Sequence, residues 1–62
     1  MNPLPHHEDY EQNILGNILQ VGTLIEKISS LLSPEDFYVT KHQIIFRTML
    51  EMRNSNIPID EL

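Results

Sequence analysis

Apolar residues recur at three- and four-residue intervals along most of this chain, the spacing that lines one face of an α-helix. The first run is Tyr10, Ile14, Leu15, Ile18 and Leu19, which predicts a helix from about Glu8 to Leu19 or Gln20. Glu8, Asp9 and Glu11 crowd its first turn, where the helix dipole favours negative charge. Gly16 sits inside this helix at a cost of about 1 kcal/mol relative to alanine, tolerated most easily where another helix approaches closely. Gly22 closes the element or opens the joint. Thr23 with Glu26 has the spacing of a capping box and predicts a second helix over roughly Leu24 to Leu31, with Leu24, Ile25, Ile28, Leu31 and Leu32 apolar. Thr40 with Gln43 repeats that spacing and opens the longest helix, about Lys41 to Asn54. Its apolar face is Ile45, Phe46, Met49, Leu50 and Met52, while Arg47 and Glu51 offer an exposed i,i+4 pair. Asn54-Ser55-Asn56 breaks the pattern.

Between the second and third helices lies Leu31-Leu32-Ser33-Pro34-Glu35-Asp36-Phe37-Tyr38. Ser33 can cap a helical turn, and Pro34 suits the first helical position because its missing N–H would be unpaired there anyway. Phe37 and Tyr38 are too costly to expose together, so they are expected to pin this turn onto a core. Residues 1–7 carry two prolines ahead of any periodic pattern and read as an extended arm. At the other end, Asp60 would make a good N-cap, which points to a further helix in a longer parent chain. Residues 8–62 are thus expected to form part of a helical domain. The predicted class is all-α, a small bundle of three main helices plus one short helical turn.

Sixty-two residues make at most one domain, and a chain below about 70–80 residues usually needs a disulfide, a metal or a partner to be firmly stable. With no cysteine, disulfides and thiolate metal sites are excluded, which leaves assembly or partner binding as the support. The net charge is −5, and Lys27, Lys41, Arg47 and Arg53 are too few and scattered to neutralise phosphates, so no direct nucleic-acid binding is expected. A basic protein partner fits the acidic balance better. No signal-peptide pattern is present and no apolar run nears the ~20 residues of a membrane helix. The expectation is a cytoplasmic protein that contacts no membrane.

The ordered motifs resemble the N-terminal domain of bacterial replicative DNA helicases of the DnaB family. That family opens with a Pro-rich arm and a helix bearing Glu-Gln and Leu-Gly, matched here by Pro5-His6, Glu11-Gln12 and Leu15-Gly16. Its middle signature appears as Leu32, Asp36-Phe37-Tyr38, His42 and Ile45-Phe46, and its Pro-Ile-Asp joint as Pro58-Ile59-Asp60. Ser33 and Pro34 complete the signature set. The family usually has alanine where Tyr10 stands and glutamate where Asp9 stands. By this resemblance, such domains form the collar on one face of a ring-shaped helicase, packing as dimers around the ring. They or the helical hairpin that follows them bind primase and helicase loaders, and the motor that hydrolyses ATP lies in a separate C-terminal domain. The motor's phosphate loop ending in Gly-Lys-Ser/Thr is absent from these residues: Gly16 and Gly22 are the two glycines and neither precedes a lysine. The resemblance therefore implies a non-catalytic docking module without a cofactor, whose partners are itself or the matching helicase domain, with primase or a loader beyond. A free-standing regulator from a phage or mobile element, seated on a helicase collar, is the alternative, and a stop codon after Leu62 would favour it.

Individual residues allow sharper readings. His6, His7, Glu8 and Asp9 could suggest a metal site, but adjacent residues cannot easily face one ion, and a solvated arm is the expectation. His42 is expected to hydrogen-bond the Asp36-Phe37-Tyr38 turn, ahead of a pH-sensing or catalytic role. Glu35 and Asp36 read as turn capping ahead of acid–base chemistry. Ile45, Phe46 and Met49 read as core, whereas Met52 is expected to face outward. Tyr10, Ile14 and Ile18 join Met52 as candidate partner contacts.

Overall fold

The computed structural model describes residues 7–59, and among these the chain forms three α-helices and one 3-10 turn with no strand. Helix α1 spans His7–Gln20, α2 spans Leu24–Ser29 and α3 spans Thr40–Asn54; the turn is Pro34–Asp36. The arm before His7 and the joint at Asp60 lie outside the described residues. The all-α expectation is met, with α1 and α3 each starting one residue earlier than the sequence pattern placed them.

All three helices contact one another, and the turn packs on α3. The core they enclose is Leu15 and Ile18 from α1, Ile25 from α2, Phe37 from the turn, Phe46 and Met49 from α3, and Ile59. Phe46, Ile18 and Met49 are the largest side chains wholly withdrawn from solvent. Phe37 meets Phe46 with ring centroids 5.1 Å apart and planes tilted by 37°, a favourable offset for two aromatic rings. Of the two aromatics expected to pin the turn, the Phe37 side chain is buried in the core, whereas that of Tyr38 is exposed.

Local chemistry explains where the elements stop. Ser33 precedes a proline and is extended, with φ −115° and ψ 166°, so α2 cannot run into the turn. Helix α2 closes at Ser29, where the Ser29 and Ser30 hydroxyls donate back to the Glu26 and Lys27 carbonyls. Leu31, expected on the apolar face, is instead exposed. Asp36 accepts the Ser33 N–H at 2.8 Å and closes a capping box around the turn. At the other end of the molecule, Asn56 adopts the left-handed conformation at φ 61°, which asparagine tolerates better than most residues. There the Ile57 N–H reaches the Met52 carbonyl at 2.8 Å and the Asn56 N–H the Arg53 carbonyl at 3.0 Å, a Schellman ending for α3.

Both helical capping boxes expected from spacing are missing. Thr23 already has helical dihedrals and its hydroxyl makes no cap, while Glu26 turns to Arg53 at 3.3 Å. Thr40 is the first residue of α3 and Val39 its N-cap, without a side-chain cap of its own. The Gln43 amide instead donates to the Phe37 carbonyl at 2.7 Å. Arg47 and Glu51 also make no ion pair with each other; the pairs among the described residues are Lys41–Glu8, His42–Glu11 and Arg53–Glu26.

Gly16 is the other departure from expectation. Among the described residues, an added Cβ there would meet nothing within 4 Å. The chain's own packing therefore does not require glycine here. Replacing Gly16 by alanine should raise stability by about 0.5–1 kcal/mol through helix propensity alone, read as a higher urea midpoint with an unchanged slope. An unchanged or lower midpoint would show that the open space is not as open as it looks.

Candidate functional site

The residues with the densest polar chemistry meet where α1 crosses the start of α3. Glu11 lies one turn ahead of Leu15 and two ahead of Ile18, so helical spacing carries its carboxylate into the core-facing stripe. It is 7% exposed. A buried carboxylate needs partners, and this one has three. Its Oε1 faces the His42 Nδ1 at 2.7 Å and accepts the Val39 N–H at 3.1 Å, while its Oε2 accepts the Tyr38 N–H in a short contact. His42, on the first turn of α3, is 2% exposed. Lys41 beside it is solvent-exposed and reaches Glu8 at 3.8 Å.

Glu11 thus takes the N–H of Val39, the N-cap of α3, and that of Tyr38 just before it, and places negative charge near the positive end of the dipole. Burial pushes its carboxyl up, but the Tyr38 N–H, the His42 ring and the Val39 N–H, together with the charge on His42, outweigh this and hold it below the ordinary glutamate value. No buried side-chain nitrogen or oxygen among the described residues is left without a partner.

His42 is therefore tied to the turn at one remove. Its ring meets Glu11, and the Glu11 carboxylate, not the ring, holds the Tyr38 and Val39 amides. The structure does not join His42 to Asp36, whose carboxylate is turned to Ser33. A general acid or base needs a nitrogen within reach of a substrate, and a ring this buried presents none. Glu11 itself was legible only as a first-turn acid. The signal that could have revealed it is its position on the Leu15–Ile18 stripe, where a charge demands a buried partner, and His42 is the only buried histidine among the described residues.

The candidate contact residues divide. Tyr10 is 58% exposed and available to a partner. Ile14 is half-buried, packed against the core. Ile18 is wholly buried and is corrected to a core residue: it stands on the same stripe as Glu11 and Leu15. Met52, like Ile14, is half-buried and packs partly against the core. Of the signature set, Phe37, His42 and Phe46 are buried, Pro34 and Ile45 half-buried, and Ser33, Asp36 and Tyr38 exposed. Among the described residues no group of histidines and carboxylates could hold a metal ion, and no helix is long and apolar enough to cross a membrane. An apolar groove of about 570 Å³ runs between α1 and α3, bounded by Leu15, Gly16, Leu19, Ile44 and Ile45, with Lys41 on its rim.

Comparison with known proteins fits this architecture. The family model for the DnaB-like helicase N terminal domain matches residues 3–62. The replicative DNA helicase DnaB of Buchnera aphidicola subsp. Baizongia pistaciae is 39% identical over 57 residues, 92% of this chain and 12% of that protein. Its counterparts from Pasteurella multocida and Geobacillus stearothermophilus are 38% and 36% identical, each over 56 residues. The chain spans about 12% of the length of these relatives. No solved structure matches it. With nearly the whole of its length matched by that family model, this chain belongs to the DnaB-like helicase N-terminal domain family.

Proposed function

We propose that the chain serves as the non-catalytic N-terminal docking module of a replicative DNA helicase. In this role it assembles with copies of itself or with the matching domain of the helicase, and it offers contacts to primase or a helicase loader. The family match across residues 3–62 carries this reading, since every residue it covers belongs to the part of the relatives that precedes a motor. Two features support it. The polar chemistry of the chain is spent inside the fold, on the Glu11 cap, while Tyr10 and Ile44 stay exposed as large apolar contacts. The acidic balance, four basic residues against nine acidic, suits protein partners and not a phosphate backbone.

Calorimetric titration and chemical cross-linking against the N-terminal domain of a full-length DnaB-type helicase test the reading. Saturable heat and intermolecular cross-links are expected. Their absence at every concentration, together with no heat against primase or loader, would overturn it.

A further inference from the structure

One face of α3 is free of the core and carries an ordered sequence of charges. Lys41, Ile44, Thr48 and Glu51 are spaced by three, four and three residues, so the helical repeat sets them within about 80° of one another. Lys41, Ile44 and Glu51 are exposed, and Ile44 keeps 55% of its surface in solvent. Thr48 is half-buried and its hydroxyl is already satisfied by the Ile44 carbonyl at 2.9 Å, so covering it strands no donor. The stripe therefore runs basic, aliphatic, small and acidic from one end of the helix toward the other.

Such a stripe is complementary to its own reverse. A two-fold axis passing midway between Ile44 and Thr48 sets a second α3 antiparallel to the first. It brings Ile44 opposite Thr48 and Lys41 opposite Glu51, and does so twice by symmetry. The apolar groove lies beside this stripe, and Lys41, Ile44 and Thr48 line its α3 side. Across it stands Gly16, where the missing Cβ leaves room that the chain itself does not use. Lys41 is available for the exchange, since its link to Glu8 is a 3.8 Å contact between two exposed side chains, a kind of pair that holds little energy. Among the described residues Glu51 makes no ion pair.

We propose that a second copy of this chain docks antiparallel along α3, with Ile44 entering the partner's groove beside Gly16 and Lys41 pairing with the partner's Glu51. The proposal rests on the self-assembly part of the functional reading and gives it a surface. Two copies that each carry a net charge of −5 repel overall, so the local alternation of sign on this stripe is what selects the arrangement. Lys41 and Glu51 are exposed, and neither takes part in the hydrogen bonds of Glu11.

Sedimentation equilibrium of the 62-residue chain and of two charge variants, Lys41→Glu and Glu51→Lys, tests this, with helicity checked by circular dichroism. Each variant alone places like charges opposite each other and should weaken self-association by about tenfold. An equimolar mixture of the two variants restores both attractive pairs, as does the double variant Lys41→Glu/Glu51→Lys, and both should recover the original affinity. Association of the unaltered chain that neither single variant weakens would overturn this surface and leave self-assembly standing. A monomer up to about 1 mM would overturn both.

Discussion

Replacing Glu11 by alanine should cost about 3–5 kcal/mol, the penalty for removing one side of a buried, multiply bonded pair. The substitution strips the Tyr38 and Val39 N–H groups and the His42 ring of their shared acceptor at once. A 62-residue domain has about 3–9 kcal/mol of stability in all, so the variant is expected to be largely unfolded at 25 °C. Urea denaturation followed by circular dichroism reads the loss. A Glu11→Ala variant within 1 kcal/mol of the parent would show that the cap is a spectator. The same carboxylate sets an acid limit. Its folded-state value lies below the ordinary one, so its contribution is complete above the unfolded-chain value and drains away as pH falls through the folded value. Stability should thus hold down to about pH 4.3 and decline below it. In Glu11→Gln, which cannot ionise, that part of the decline should vanish, leaving a less stable protein with a flatter acid limb.

The second large effect belongs to Phe46. Truncation to alanine should remove about 3–5 kcal/mol, because the ring is wholly buried and stacked on Phe37, and the small bundle has little else with which to refill the space. Circular dichroism should show loss of helicity at 25 °C. A variant that keeps the parent's helical signal and a cooperative thermal transition would contradict the placement of Phe46 at the centre of the core.

The two predictions differ in how far the sequence reveals them. Phe46 is evident from periodicity: it stands on an apolar stripe with Met49 and Leu50, and burial follows. Glu11 is a different case. Its function depends on residues 27, 28 and 31 positions away, and nothing local marks a first-turn acid as buried. The two capping boxes failed for a related reason. Spacing identifies residues able to cap, but Thr40 is already the first residue of α3 and Val39 stands at the N-cap, where a carboxylate from another helix takes its amide. Where the local rule did hold, at Ser33 and Asp36, no distant group competes, and the turn closes on its own residues. Ile18 is wholly buried where a contact was expected, because an apolar stripe reveals direction around a helix and not which neighbour covers it. Gly16 does not show the close helix approach that an interior glycine predicts: among the described residues a Cβ there would meet nothing within 4 Å.

The remote cap has a consequence for how the domain can be divided. Helix α3 is a long, strongly patterned element, and cut out as a peptide it would look like the obvious independent unit. The two amides that lead into it, those of Tyr38 and Val39, are however held by a residue that belongs to α1. Transplanted into another scaffold with its lead-in, residues 38–54 would arrive with the Tyr38 and Val39 amides and the His42 ring lacking their acceptor. The smallest portable piece is therefore the pair of crossing helices with the turn between them, a unit defined by one carboxylate and not by any boundary along the chain.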